Sequence, residues 1–530
     1  MPAIGAAPLV RSRAIVWAAI AVALAARLWF DWTGSLLDQH AFRQTQTAMT
    51  VYWYLREGID LWRPPLPVFG VEAPSIPLEF PLYQAVAAQV LDLLGARSLD
   101  AIEVGCRAVS FAFHLLAAWP LHRLAARHFS PMVADGAVLL WLALPFPAFW
   151  STAAMIESTA VALALLHVDR VDRAARSSGV MQGLDAAIAM VAGMLAATIK
   201  ITTFAPYLPV AGLLYLSTRR LWSPASWRFS DLAVIVAAFL VPLVALAGWT
   251  AWADAVKAEN TFGGLGLVST TLAGWNFGTW SQRLSRETWR AIAVMLVTVA
   301  LGLPVAAAAA IGAIRALGRF TRALWIVAGG LGPLLFINLY YIHDYYLFAL
   351  LPPMVMLAAF GAVTVVAPLR RWPWLPALAI VAMTGAAWTD AAYRWRPRPD
   401  RPATVPVHYL LRRLVTTDAL PPDAAIVRDI AERIRDGRYP PGPIVVTGND
   451  WSPDIAFYAE RKAYMIGKPP DHIMGGCSAR NWEAARRARP ALFVMVRPGT
   501  EQCPQGQPVP DCTLADTPDY WIGTCMAGVR

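Results

Sequence analysis

The chain has 530 residues, 57% of them hydrophobic and only 15% charged, whereas in an ordinary soluble domain about a quarter of residues are charged. A net charge of +10 would suggest nucleic acid in a soluble protein. Here the basic residues stand in short turns between apolar runs, where they set topology and meet anionic headgroups. The balance excludes an ordinary soluble enzyme and a nucleic-acid binder, and it predicts an integral membrane protein.

Arg11 and Arg13 precede an apolar run over 14–30, which predicts a first transmembrane helix entering from the cytoplasm. A cleaved signal peptide is the competing reading, because Ala23-Leu24-Ala25 fits a cleavage site. Either way a first external loop, 31–103, emerges on the far side. It carries Asp38, His40, Arg43, Glu57, Arg63, Glu72 and Glu79 among aromatics and prolines. Ala41 to Glu57 and Leu82 to Leu94 read as helices, either lying amphipathically in the interface or buried in a core.

Further apolar runs follow at 104–123, 133–150, 153–168, 184–199, 201–216, 232–251, 291–312, 323–341, 345–366 and 374–392. With the N-terminus inside, the charged turns at 122–128, 169–176, 219–228, 315–322 and 370–371 all fall in the cytoplasm. That agreement predicts about eleven transmembrane helices. The turn near Glu157, a hairpin at Lys200, the loop 252–290, the turn His343-Asp344 and the C-terminal segment then lie outside. Many of the 23 tryptophans stand near run ends, as interfacial anchors do.

From about Arg394 charge and proline rise. Short apolar strands at 444–447, 463–466 and 492–496 alternate with helix-like segments at 423–435, 453–460 and 479–487. This predicts a small extracytoplasmic α/β domain over 396–530, following a membrane domain over 1–395. Of five cysteines, Cys106 opens an apolar run, while Cys477, Cys503, Cys512 and Cys525 share this C-terminal segment. Outside the cytoplasm four cysteines suggest two disulfides, with three possible pairings.

Several residues can carry chemistry. Asp38 stands just beyond the outer end of the first helix, where a carboxylate can act as a general base or hold a divalent cation, with His40 as a second ligand or proton carrier. The plainer alternative is a helix cap with Arg43 as partner. Glu79, ahead of an aromatic-flanked helix start, is a second acid, an acceptor contact or a charge answering the helix dipole. Lys200 has no acid near it in sequence, so it suits an anionic lipid headgroup or merely snorkels. His343, Asp344, Tyr345 and Tyr346 shape a phosphate or sugar site, or form an aromatic belt. The loop from Lys257 to Arg290, with its glycines and tryptophans, is read as a cover over substrate or a plain loop.

Taken in order, these residues resemble the GT-C superfamily of polytopic glycosyltransferases that use polyprenyl-phosphate sugars, and most of all the branch of protein O-mannosyltransferases and lipid A aminoarabinose transferases. The resemblance covers about 1–395 and rests on the run from Asp38 to Ala48, on Glu79-Phe80-Pro81-Leu82-Tyr83, on Lys200 and on the outer turn at His343. It implies a catalytic or metal-binding role for Asp38, with His40 as the other tentative metal ligand. It also implies lipid-phosphate contacts from Lys200, Arg43, His343, Tyr345 and Tyr346, and acceptor or supporting roles for His40 and Glu79. Many relatives have an acidic pair where this chain has Asp38-Gln39, which puts dependence on a divalent metal in doubt. The function so implied is inverting transfer of a sugar from a polyprenyl-phosphate donor to an envelope glycan, lipid or protein at the outer face of the cytoplasmic membrane. A lipid-linked sugar flippase or transporter is the alternative, although it should bury its charges in mid-helix and show paired repeats with interrupted helices. A non-catalytic assembly factor is the third reading.

Overall fold

The computed structural model describes residues 6–29, 32, 34–223, 226–369, 371–396, 422–437, 439–466, 479–487, 489–497 and 509–526. Among these, six helices are long and apolar enough to cross a membrane: Arg11–Trp29, Leu99–His128, Gly179–Phe204, Phe229–Glu259, Asp344–Leu369 and Leu375–Trp395. The pair Arg286–Leu301 and Leu303–Ala316, bent by 111°, makes seven if counted as one span, and Pro131–Ala143 and Phe320–Leu335 are apolar but shorter. The chain is a multi-pass membrane protein. The break in the bent pair falls at Gly302, whose φ of +76° belongs to a region that glycine enters without a Cβ penalty.

By internal contacts the chain divides into two compact units, 1–32, 107–248 and 273–417 in one, and 33–106, 249–272 and 418–530 in the other. The division differs from a linear one at residue 395, because the first loop pairs with the C-terminal segment. The N–H of Ala463 donates to the Pro67 carbonyl (2.8 Å), that of Met465 to Val68 (2.8 Å), and that of Gly70 to Ala463 (2.9 Å). The Pro-rich run of the loop therefore covers an edge strand that would otherwise expose unpaired backbone.

In the first unit, close helix packing relies on missing side chains. A Cβ at Gly312 would stand 1.9 Å from the Leu357 carbonyl oxygen, and one at Gly361 would stand 1.9 Å from that of Ala308. Helices Leu303–Ala316 and Leu351–Val366 thus meet backbone to backbone, as small residues allow in lipid. The basic turns bring their own counterions. Asp169 and Asp172, both wholly buried, take Arg123 and Arg127, and Asp185 takes Arg170 and Arg173. Helix Pro131–Ala143 starts on proline behind Ser130, whose hydroxyl accepts from Val133 N–H. The expected hairpin at Lys200 is a kink instead. Helix Gly179–Phe204 breaks at Lys200 (φ −159°, ψ 88°) and continues to Phe204, and the next helix, Tyr207–Arg219, starts after 205–206.

In the second unit, strands β1 (Ile444–Thr447), β2 (Ala463–Ile466), β3 (Leu492–Val496), β4 (Thr513–Asp516) and β5 (Tyr520–Gly523) form one sheet in the order β2-β1-β3-β5-β4. The first three are parallel and fully buried; β5 runs antiparallel to both β3 and β4. Pro422–Arg435, Asp454–Tyr458 and Ala479–Arg487 are helical. Helix Ala41–Glu57 is buried continuously from Gln44 to Tyr52, so it is a core helix and not an interfacial one. Helix Leu82–Leu93 buries one face through Tyr83, Gln84, Ala87, Ala88 and Leu91 and leaves Leu93 exposed. The expected loop 252–290 is mostly helical, with helices Thr261–Gly266, Ser269–Phe277 and Trp280–Leu284 between longer ones.

Candidate functional site

The candidate residues fall into two groups, one in each unit. In the second unit the chain turns sharply into helix Ala41–Glu57. The Ala41 N–H donates to the Asp38 carbonyl (3.1 Å), and His40, the residue before the helix, adopts a left-handed conformation (φ +55°). This leaves the half-buried Asp38 carboxylate at the helix start, where the side-chain amide of Gln44 donates to it. The same amide donates to the Gln39 carbonyl (2.9 Å). One turn of chain thus fixes the carboxylate against its own helix.

Arg43, the next residue along that helix, donates to Glu79 (2.5 Å) and to the Gln46 amide oxygen. The sequence suggested Arg43 as a cap partner or a lipid-phosphate contact; the structure pairs it with Glu79. Both side chains are about one-fifth to one-quarter exposed, so the pair stays within reach of an arriving polar group. The run before Asp38 is held equally firmly. Ser35 lies 2.9 Å from the Tyr458 hydroxyl, Leu36 N–H donates to that hydroxyl (2.9 Å), and Tyr458 in turn donates to Glu103.

In the first unit Lys200 is buried and ion-paired with Glu157, itself buried. The ammonium also stands 5.0 Å from the ring centre of Tyr345 and 4.6 Å from that of Tyr346, where the negative ring faces attract it. Lys200 therefore does not stand alone, as its sequence neighbourhood suggested; its acid comes from 43 residues upstream. The other Glu157 oxygen is buried without a hydrogen-bond partner. His343 stacks on Tyr345 with 5.2 Å between centroids, and Tyr345 lies 4.7 Å from Tyr346. Trp150 meets Tyr345 edge-on at 5.8 Å, and Trp275 stands 6.1 Å from His343. This gives one buried cation set in aromatic walls. Such a setting can take an oxyanion, with Glu157 giving up part of its hold on the ammonium.

Glu157, Gln44, Glu103 and Tyr458 were not singled out from sequence. Glu157 had a signal, because an acid inside an apolar run is costly unless paired or used. The others had none, since Glu103 and Tyr458 meet across distant segments and Gln44 is an uncharged residue within a helix. Cys512 is bonded to Cys525, whereas Cys477 and Cys503 lie outside the described residues. Asp38 and His40 are the residues that would hold a divalent metal. Among the described residues no group of three or more His, Cys, Asp or Glu side chains converges, and no step below runs through a metal.

No family model and no curated relative matches the chain. Solved structures do. ArnT from Cupriavidus metallidurans bound to undecaprenyl phosphate is 15% identical and superposes with a TM-score of 0.59, over 97% of this chain and 98% of that one. The archaeal oligosaccharyltransferase AglB from Archaeoglobus fulgidus, in complex with an inhibitory peptide and a dolichol-phosphate, is 12% identical with a TM-score of 0.52, over 92% of this chain and 69% of that one. At these identities the likeness is one of fold. That likeness covers 97% of this chain, so it is not confined to the part before residue 395.

Proposed function

We propose that this chain transfers a sugar from a polyprenyl-phosphate carrier to an acceptor hydroxyl on an envelope glycan, lipid or protein, at the outer face of the cytoplasmic membrane. The observation that carries the reading is a fold shared over nearly the whole length with a protein bound to undecaprenyl phosphate, together with a buried lysine set in aromatic rings. In this reading Asp38 takes the proton from the acceptor hydroxyl. The freed oxygen attacks the anomeric carbon, the bond from that carbon to the phosphate oxygen breaks, and the configuration inverts. The carrier phosphate leaves with the bonding electrons, and Lys200 stabilises its growing charge. His343, Tyr345 and Tyr346 wall the phosphate position, and Glu157 holds Lys200 in place until the anion arrives.

We read the topology as about eleven crossings, with Pro131–Ala143, Glu157–Ala174, Tyr207–Arg219 and Phe320–Leu335 added to the six long helices and the bent pair. The disulfide between Cys512 and Cys525 supports an oxidising compartment for the C-terminal segment, and so for the first loop that pairs with it. The test is sugar transfer in proteoliposomes from radiolabelled polyprenyl-phosphate sugars, comparing wild type with Asp38→Asn. The expected result is transfer by the wild type and its loss in a variant that still binds the carrier lipid. Full transfer by Asp38→Asn would remove the base assignment. Carrier lipid crossing the bilayer, with no transfer from any donor, would replace the enzyme reading by a flippase.

A further inference from the structure

Two glutamine side chains in the second unit are buried with a polar atom left over. Gln46, 4% exposed, has no hydrogen-bond partner for Nε2; Gln84, 8% exposed, has none for Oε1. Native proteins rarely leave such groups unmatched. The two residues line the same narrow cleft, with Thr47, Thr50 and Glu79 as its other polar groups and Ile76 among its apolar walls. Its interior takes only one or two water-sized groups. The orientation of Gln46 is fixed by Arg43, which donates to its oxygen. The unmatched Gln46 atom is therefore an N–H donor.

The lining chemistry restricts the occupant. An anion would meet the carboxylate of Glu79 and the carbonyl oxygen of Gln84. A cation would meet the N–H of Gln46. A neutral group that donates and accepts at once satisfies both amides, and a hydroxyl does so. We propose that this cleft reads one hydroxyl of a sugar, with Gln46 Nε2 donating to it and Gln84 Oε1 accepting from it, while the ring stays at the mouth. The identity of the ligand rests on the sugar-transfer reading, and the sugar is either the one on the carrier or the one on the acceptor. A site built to hydrogen-bond a hydroxyl rejects the analogue that lacks it far more strongly than an apolar pocket can, because its buried groups are then left unpaired.

The experiment uses full-length protein in detergent micelles with methyl hexopyranosides and their monodeoxy analogues as probes. Binding is followed by saturation-transfer NMR for wild type, Gln84→Met and Gln46→Met, with melting temperatures alongside. Wild type should lose affinity by about tenfold or more for one deoxy analogue and not for the others. In the variants parent and deoxy sugar should bind within about twofold. Gln84→Met, which removes an unmatched oxygen, should leave the melting temperature unchanged or raise it, whereas Gln46→Met also takes an acceptor from Arg43. The same pairs, placed first on the carrier and then on the acceptor in the transfer assay, assign the hydroxyl to its source. Hydroxyl-selective binding that vanishes in Gln84→Met, with no transfer from any donor, would keep the subsite and remove the transferase reading. Unchanged selectivity in both variants, or a lowered melting temperature with unchanged selectivity (a structural water held by the pair), would overturn the proposal.

Discussion

The Tyr458 hydroxyl donates to the buried carboxylate of Glu103 and accepts from the N–H of Leu36 at 2.9 Å, two residues before Asp38. Burial and the adjacent Glu103 raise the Tyr458 phenol above its ordinary range, so it stays a donor at any physiological pH. The helix that follows Asp38 is gripped by the same C-terminal segment. Phe42 meets Trp451 edge-on at 4.6 Å, and Tyr52 and Arg56 both bond Glu460 at 2.9 and 3.0 Å. The C-terminal segment is therefore a buttress for the loop that carries the proposed base.

Tyr458→Phe should reveal that role. The ring still fills its space, but Glu103 loses a donor and Leu36 an acceptor, a loss of about 1–3 kcal/mol for groups left buried. Transfer should fall chiefly in kcat, because the carboxylate is displaced while the surfaces that bind substrate remain. Thermal unfolding in detergent and steady-state kinetics check both parts. A variant with wild-type kcat and a lowered melting temperature would make the contact purely structural.

Glu157 and Lys200 form a buried pair, and such pairs are costly to break from one side. Glu157→Gln or Lys200→Met alone should destabilise by about 3–5 kcal/mol, while the double substitution should recover much of the loss, since no lone charge is then buried. The double variant should nonetheless transfer no sugar, because the phosphate has lost its cation. Melting temperatures of the four proteins give the coupling, and binding of the carrier lipid gives the functional part. Tight lipid binding by the double variant would move the phosphate elsewhere.

The membrane fold was legible because lipid demands long apolar runs with polar turns, and the chain repeats that pattern from 104 to 392. Strands β1, β2 and β3 fall on 444–447, 463–466 and 492–496, as predicted, since short apolar runs between turn residues have few alternatives. The pairing of Pro67–Gly70 with β2 left no trace in periodicity, because the contact joins segments almost 400 residues apart and uses backbone alone. The same limit hid the partner of Lys200. Its isolation in sequence was real, yet folding brought Glu157 to it. Helix Ala41–Glu57 was recognised as a helix, but its many Thr and Gln residues gave it an amphipathic look. The structure buries them, with Thr45 and Thr47 returning hydrogen bonds to their own backbone.

Asp454 gives a dependence on pH. Burial lifts its carboxyl to about 6, against hydrogen bonds from Ile455 N–H and from Asn449 and Ser452, while in the unfolded chain it titrates near 3.8. Between these values the native state binds more protons than the unfolded state. Stability contributed by this group therefore falls as pH rises from about 4 to about 6 and is fully lost above that, by at most about 3 kcal/mol. Asp454→Asn keeps an oxygen for Asn449 and Ile455 and removes the titration. Its melting temperature should lie above that of the wild type at pH 7, with the two converging near pH 4. Parallel curves across the whole range would show that Asp454 stays ionised.

The bridge between Cys512 and Cys525 closes a loop with a sequence separation of 13 and ties the entry of β4 to the exit of β5, at the edge of the sheet opposite β2. Closing a loop of this size in the unfolded chain stabilises by about 3 kcal/mol. Reductant should lower the melting temperature of the wild type, and the double substitution of Cys512 and Cys525 by alanine should be equally low and indifferent to it. The sequence-based expectation of two bridges then leaves Cys477 and Cys503 for the second. Peptide mapping without reductant should therefore recover two crosslinked pairs, 512 with 525 and 477 with 503, while Cys106, buried in the native state, is alkylated only after unfolding. Ready alkylation of Cys477 and Cys503 in the native, unreduced protein would show that the chain carries one bridge and two free thiols, and would weaken the placement of this segment in an oxidising compartment.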